Sequence, residues 1–292
     1  MNGHKDNKVW LITGTSSGLG KRMVIAALAR GDRVIATARK LANLEELQSR
    51  YSDSSERLRL LELDVTSPFE VIKNTVDGAI NIWGHIDVVV NNAGIGLPGL
   101  VEEMGDETLR KQFEPNVFGV AKVNTAVLPN MRERGSGTVV VIGSRSAWKT
   151  EIAGIGAYAA SKAAVHAYTE TLAHELKSFG VKVMIVEPGG FRTENIYTYP
   201  WTHPYHSPSL DAFREKAQSF WRTIDGKQPG DPDKAANAIV DVVRGEGLAL
   251  GKELPMWLVL GKDAEVNIRD KVARILANLD GWKDVTRATD FD

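Results

Sequence analysis

The sequence predicts an α/β protein on a doubly wound parallel sheet, in a single domain of 292 residues. Three observations predict it. Short continuous apolar runs, the mark of strands buried on both faces, alternate with helical patterns along most of the chain. The first run, Val9-Trp10-Leu11-Ile12-Thr13, breaks into Gly14-Thr15-Ser16-Ser17-Gly18-Leu19-Gly20 and then a helix. The remaining glycine and asparagine clusters fall after predicted strands, at the carboxyl ends where ligands of such sheets bind.

Composition excludes several function classes. With 43% hydrophobic and 25% charged residues the chain is ordinary globular material. A net charge of -1 without runs of like charge points to no nucleic-acid partner and no anionic membrane. Zero cysteines remove disulfides, thiolate nucleophiles and Cys-based metal sites. No apolar run has the length of a membrane span, and residues 1–8 are polar, so a soluble cytoplasmic protein is expected. No repeat or linker divides residues 1–292.

The elements follow in order. Strand, glycine turn and helix N-terminus (helix Lys21 to Arg30, stopped by Gly31) make an anion site, because glycines admit a pyrophosphate and free N–H groups point at it. The second strand, Arg33 to Ala38, is followed by Arg39-Lys40. In a dinucleotide fold this strand end meets the adenosine ribose, where a carboxylate would hold two hydroxyls and a cation would pair with a 2'-phosphate. The carboxylate is absent and Arg39 is present. A helix over Leu41 to Ser52 leads to a third strand, Leu58 to Leu63, whose Asp64 either meets an adenine amino group or caps its own loop. Ser67-Pro68 starts a helix to Trp83, as cap and first-turn proline. The fourth strand, Ile86 to Val90, ends in Asn91-Asn92-Ala93-Gly94. The next helix, Asp106 to Arg134, holds Pro115, which is expected to kink it beside Asn116.

The fifth strand, Thr138 to Ile142, ends in Gly143-Ser144-Arg145-Ser146. A helix over Ala157 to Phe179 carries Tyr158 and Lys162 four residues apart, hence on one face. A fixed cation favours phenolate over phenol, which makes a tyrosine usable in proton transfer near neutral pH. After strand Val181 to Val186 come Pro188, Gly189 and Thr193. From Glu194 to Asp225 the texture changes: seven aromatic residues (Tyr197, Tyr199, Trp201, Tyr205, Phe213, Phe220 and Trp221) and three prolines (Pro200, Pro204 and Pro208) suggest a loop-rich lid with aromatic walls, mobile without ligand. His203 and His206 lack an acidic cluster, and no metal is expected. Asp231-Pro232 caps a helix to Arg244, Met256 to Leu260 is a last strand, Asp263 to Leu279 a last helix, and 281–292 a polar tail.

Taken together, Thr13-Gly14-x-x-x-Gly18-x-Gly20, Asn91-Asn92-Ala93-Gly94, Asn116, a serine after the fifth strand, Tyr158-x-x-x-Lys162 and Pro188-Gly189 resemble the classical short-chain dehydrogenase/reductase (SDR) family, over the chain to about residue 260. The resemblance implies a Rossmann-like fold with a C-terminal substrate lid. Tyr158 would be the proton donor or acceptor. Lys162 would bind the nicotinamide ribose and lower the tyrosine pKa. Ser144 would hold the substrate oxygen and Asn116 a relay water. Gly14, Ser16, Ser17, Gly18 and Leu19 would cradle phosphates, Asp64 and Val65 flank adenine, Asn91, Ala93 and Gly94 line the cofactor cleft, and Thr193 hold the carboxamide.

Two departures matter. Ser144 precedes Tyr158 by one residue more than the family interval, implying an insertion and making Ser146 a competitor. Pro115 stands where the family has a non-proline residue. The expected activity is NADP(H)-dependent reduction of a bulky apolar or aromatic ketone or aldehyde by a homodimer or homotetramer. The alternative is a non-redox protein of the same fold, a dinucleotide sensor or a template cyclase or isomerase. Neither needs the proton donor that Tyr158 supplies.

Overall fold

The computed structural model describes residues 7–51, 56–194 and 199–291. Its centre is a seven-stranded sheet in the order β3-β2-β1-β4-β5-β6-β7, every neighbouring pair parallel. The strands are β1 (Val9–Ile12), β2 (Arg33–Ala38), β3 (Leu58–Glu62), β4 (Val88–Asn91), β5 (Gly137–Ile142), β6 (Val181–Pro188) and β7 (Trp257–Leu260). The helices are α1 (Gly18–Ala29), α2 (Glu45–Arg50), α3 (Phe69–Trp83), α4 (Val101–Phe113), α5 (Gly119–Glu133), α6 (Gly156–Leu176), α7 (Asp211–Ile224), α8 (Pro232–Arg244), α9 (Lys262–Gly281) and α10 (Lys283–Arg287). This is the Rossmann-like architecture the sequence predicts. Among the described residues no helix is long and apolar enough to cross a membrane.

Strand periodicity explains the two cores. Successive side chains point to opposite faces, so a strand buried on both sides must be apolar throughout. Val9, Leu11, Val89, Val139 and Val141 pack with α3, α5 and α6 through Ile72, Val76, Val123, Val127 and Val165. Trp10, Ile12, Val88, Val90, Val140 and Ile142 pack with α1 and α8 through Met23, Val24, Ile239 and Val240. At roughly 1.5–3 kcal/mol per fully buried Val, Leu or Ile, these layers supply most of the favourable energy of folding.

Several boundaries differ from expectation for local reasons. Pro68, not Ser67, stands at the N-cap of α3, and no side chain caps that helix. The helix expected from Asp106 is preceded by a short turn from Val101, because Gly105 (φ 65, ψ 177) breaks the spiral. Pro115 lies in a π-turn, Glu114–Phe118, that joins α4 to α5. The missing proline N–H is thus absorbed by a wider turn, not by a simple kink. Asp231 does cap α8, its side chain accepting from the N–H groups of Asp233 and Lys234. The tail is not featureless, since Lys283–Arg287 is helical.

The expected lid is more ordered than its prolines suggest. Residues 211–224 form α7, tied to the body by Arg214, whose Nε donates to Glu103 Oε2 at 2.7 Å. Both side chains are buried, and the guanidinium holds the Glu103 carboxyl down at about 2. The backbone N–H of Thr202 reaches Pro98 O (2.8 Å), and the N–H of Ser207 reaches Glu103 Oε1 (2.9 Å). Tyr205, Phe213 and Phe220 are exposed, so the aromatic wall is narrower than the sequence implies. Tyr197 lies outside the described residues.

Candidate active site

The chain reverses direction across the sheet between β1 and β4, and the carboxyl ends of these strands part to leave a crevice. Thr13 closes its floor: its Oγ1 donates to Val90 O (3.2 Å) and accepts from the N–H groups of Asn92 and Ala93 (both 3.0 Å). Asn92 completes the clasp, its Nδ2 donating to Thr13 O (2.9 Å) and Gly14 O (2.8 Å). Gly14 turns here with φ 67, and a Cβ on it would lie 2.8 Å from Ala93 Cα, so no side chain fits. Sequence reasoning passed over Asn92 in favour of Asn91. In the structure Asn91 points away, its Nδ2 donating to Asn124 Oδ1 at 2.8 Å in the buried interior.

Along the adjoining strand ends lie the other residues expected to hold a dinucleotide. Ser16 and Ser17 precede α1, and Ser17 at the N-cap makes no side-chain cap bond. The N–H of Gly18 donates to Glu194 Oε2 at 3.1 Å, and Arg22 grips the same carboxylate through NH1 (2.9 Å) and NH2 (2.7 Å). Together these hold Glu194 down at about 2, the Arg22 hydrogen bond foremost. An anion therefore already sits on the turn that the sequence marks as an anion site, which is the test of fit for a pyrophosphate. Arg39 is exposed just past β2, beyond buried Ala38. Asp64 Oδ1 accepts from the N–H (2.9 Å) and hydroxyl (2.7 Å) of Thr66, the loop-capping role of the two readings. Val65 is buried beside Gly119.

A cleft of about 660 Å³ opens beside this crevice. It is lined by Leu19, Gly94, Ser144, Tyr158, Lys162, Pro188, Gly189 and Thr193 from the expected set, and by Ser146, Tyr199, Trp201 and Trp221. Helical spacing brings Tyr158 and Lys162 together, the ammonium 5.7 Å from the phenol ring centroid. Lys162 Nζ donates to Ile142 O at 2.7 Å, and burial pulls its pKa down from 10.5 to about 8. Two of its three donors remain for a ligand. Ser144 is buried, and its Oγ accepts from the N–H of Ser146 at 3.0 Å, so the deeper of the two serines faces the cleft with its hydroxyl proton free to point outward.

Asn116 lies in the π-turn with three of the four hydrogen-bonding positions of its side chain engaged. Its Oδ1 accepts from the N–H of Ile95 (2.9 Å), and its Nδ2 donates to Ile95 O and to Ser161 Oγ (both 3.0 Å). Ser161 Oγ donates in turn to Tyr158 O (2.7 Å), so Asn116 braces the helix turn that carries the tyrosine. Opposite, Asp263 at the start of α9 accepts from the N–H of Gly190 (2.8 Å) and lies 3.5 Å from Arg145, fastening the loops after β5 and β6 to one carboxylate.

Comparison with known proteins agrees with this geometry. The sequence model of the family described as short chain dehydrogenase matches residues 8–199. Oxidoreductase BOA17 of Botryotinia fuckeliana is 36% identical over 287 residues, covering 97% of this chain and 99% of its own. Retinol dehydrogenase 8 of Homo sapiens is 32% identical over 247 residues, 80% of this chain and 76% of its own. A crystal structure of a short-chain dehydrogenase from Streptomyces avermitilis superposes with a TM-score of 0.85 at 41% identity, over 98% of this chain and 100% of that one. The likeness runs from the glycine turn through the Tyr158 helix and across the whole sheet, and on that ground the chain belongs to the classical short-chain dehydrogenase/reductase family of oxidoreductases.

Proposed function

We propose that the protein is an NADP(H)-dependent reductase of bulky apolar or aromatic ketones and aldehydes, working in reverse as an alcohol dehydrogenase. The observation that carries this reading is the convergence of Ser144, Tyr158 and Lys162 on one cleft whose far wall is Tyr199, Trp201 and Trp221. The nicotinamide, when bound, supplies the hydride. The Tyr158 hydroxyl gives its proton to the carbonyl oxygen as negative charge builds there, and the Ser144 hydroxyl donates to the same oxygen. Buried Lys162 keeps a positive charge beside the phenol and turns its two remaining donors to ribose hydroxyls. Both amide hydrogens of Asn116 are engaged, so a relay water at this position can bind its side chain only by donating to the remaining lone pair of Oδ1.

Preference for the phosphorylated dinucleotide rests on Arg39, an exposed guanidinium that pairs bidentately with a 2'-phosphate, next to Ala38 where a carboxylate would repel it. Preference for apolar substrates rests on the three aromatic walls. The relatives point the same way: one is named for retinol, and another, from Bacteroides thetaiotaomicron, is named 3-ketodihydrosphingosine reductase. A homodimer or homotetramer accords with the exposed Phe118 and Phe179 at the ends of the long helices.

The test is oxidation of NADPH over a panel of carbonyl compounds graded in size and polarity. Turnover highest for large apolar members, and abolished in Tyr158→Phe with cofactor binding intact, is the expected result. Best turnover of small hydrophilic members rejects the substrate class, and full activity of Tyr158→Phe rejects the chemistry.

A further inference from the structure

Behind Ser144 lies a buried histidine that the chemistry above does not use. The ladder between β5 and β6 runs as far as the N–H of Gly143, which donates to Val186 O at 2.8 Å. The next N–H, that of Ser144, leaves the ladder and donates to Nε2 of His166 on α6 at 3.2 Å. The two elements meet closely here: a Cβ on residue 143 would stand 2.1 Å from His166 Nε2, so only glycine admits the ring. An imidazole nitrogen that accepts carries no proton, which puts the ring proton on Nδ1. Nδ1 lies 3.3 Å from Oε1 of Glu187, the last acidic residue of β6. That oxygen also accepts from the Trp148 indole N–H at 3.0 Å.

The ring stays neutral at pH 7. Burial, aided by the Lys162 ammonium, drives the His166 pKa down to about 4. His166 and Glu187 are both almost wholly inaccessible, at 4% and 1% exposure, and neither lines the cleft. They cannot touch substrate. Their reach ends at the backbone of the residue that does.

We propose that His166 is a positioning residue for Ser144: its Nε2 fixes the Ser144 backbone where the strand ladder ends, while Glu187, itself oriented by Trp148, keeps the ring proton on Nδ1. The loop from Ser144 to Tyr158 is the place where the sequence implies an inserted residue, so a strand-end serine there gains from an anchor outside the loop. The proposal rests on the reading of Ser144 as the donor to the substrate oxygen. A displacement of order 1 Å at such a donor lowers turnover by about a hundredfold.

Two amide variants separate the halves of the imidazole. In His166→Gln the terminal oxygen takes the place of Nε2 and accepts from Ser144. In His166→Asn the shorter amide takes the place of Nδ1, faces Glu187 and leaves the Ser144 N–H without its acceptor. The measurements are kcat, KM and NADPH affinity in the full-length protein, alone and in a Ser144→Ala background. The expected result is kcat within about threefold of wild type for His166→Gln and lower by tenfold or more for His166→Asn, with cofactor affinity unchanged in both. In the Ser144→Ala background His166→Asn should cost little more, because residues acting through one group are not additive. Equal losses in the two amide variants, or a full additional loss on top of Ser144→Ala, overturn the proposal. Unaltered turnover in Ser144→Ala alone overturns instead the underlying role of Ser144. Should His166→Asn fail to fold, His166→Leu takes its place with the same expectation.

Discussion

Replacing Lys162 by methionine should stop turnover and yet make the protein more stable at neutral pH. Lys162 is charged in a place that resists charge: burial takes its pKa from 10.5 to about 8. A difference of about 2.5 units, at about 1.36 kcal/mol each, is a folding penalty of about 3 kcal/mol at pH 7. Methionine removes the penalty and fills a similar volume, but it leaves Ile142 O without the 2.7 Å bond from Nζ. An unpaired buried carbonyl costs about 1–3 kcal/mol, so the net gain is about 1 kcal/mol, a few degrees in Tm. The sign with pH follows from proton binding. Between pH 8 and 10.5 the unfolded lysine holds its proton more tightly than the folded one, so wild type gains stability as pH rises through that window and Lys162→Met does not. Thermal unfolding of both proteins from pH 7 to 10.5 should show the variant ahead at pH 7 and overtaken above pH 10. A variant less stable at pH 7, or a gap that does not move with pH, refutes the desolvation argument.

Other predictions test the cofactor side. Glu194→Gln should tighten NADPH binding by about two- to fivefold, because the half-exposed Arg22 pair that the phosphates must displace is worth roughly 0.5–1 kcal/mol; titration showing unchanged or weaker binding means that the carboxylate does not compete. The double variant Ala38→Asp, Arg39→Leu should shift preference from NADPH toward NADH by ten- to hundredfold, the worth of about 1.5–3 kcal/mol in a charge-assisted contact. An unmoved ratio of affinities places the 2'-phosphate elsewhere.

Much of the fold was legible because the sheet is buried on both faces. Runs such as Val34 to Ala36 and Val88 to Val90 admit few other readings, and β2 spans the residues the sequence predicts, Arg33–Ala38. Glycine turns and the Tyr158 to Lys162 spacing are local chemistry, which sequence also carries. What escaped was long-range. Asn92, not Asn91, closes the crevice, and the choice depends on which way a strand end pleats. Glu194 lies 176 residues from the N–H it caps. Glu103 and Arg214, 111 apart, make a lid that looked loose into an anchored helix. His166 looked like one more residue of an alanine-rich helix, since nothing local marks a ring as the continuation of a strand ladder.

The reversal of strand order between β1 and β4 also bears on how the chain is made. β1 pairs with β2 on one side soon after both are synthesised, but its other side waits for β4, whose register sets Trp10 against Val88 and Ile12 against Val90. The N–H of Val9 and its partner Asp87 Oδ2 are 78 residues apart. At roughly 5–20 residues per second, that separation is a wait of about 4–16 s. Through it the chain presents an unpaired parallel edge whose side chains are tryptophan, leucine and isoleucine, the kind of edge that pairs with other chains. The half of the protein assigned here to the dinucleotide is therefore also the half most exposed to misassembly at birth, and the strand that ends the exposure is the one that completes the crevice.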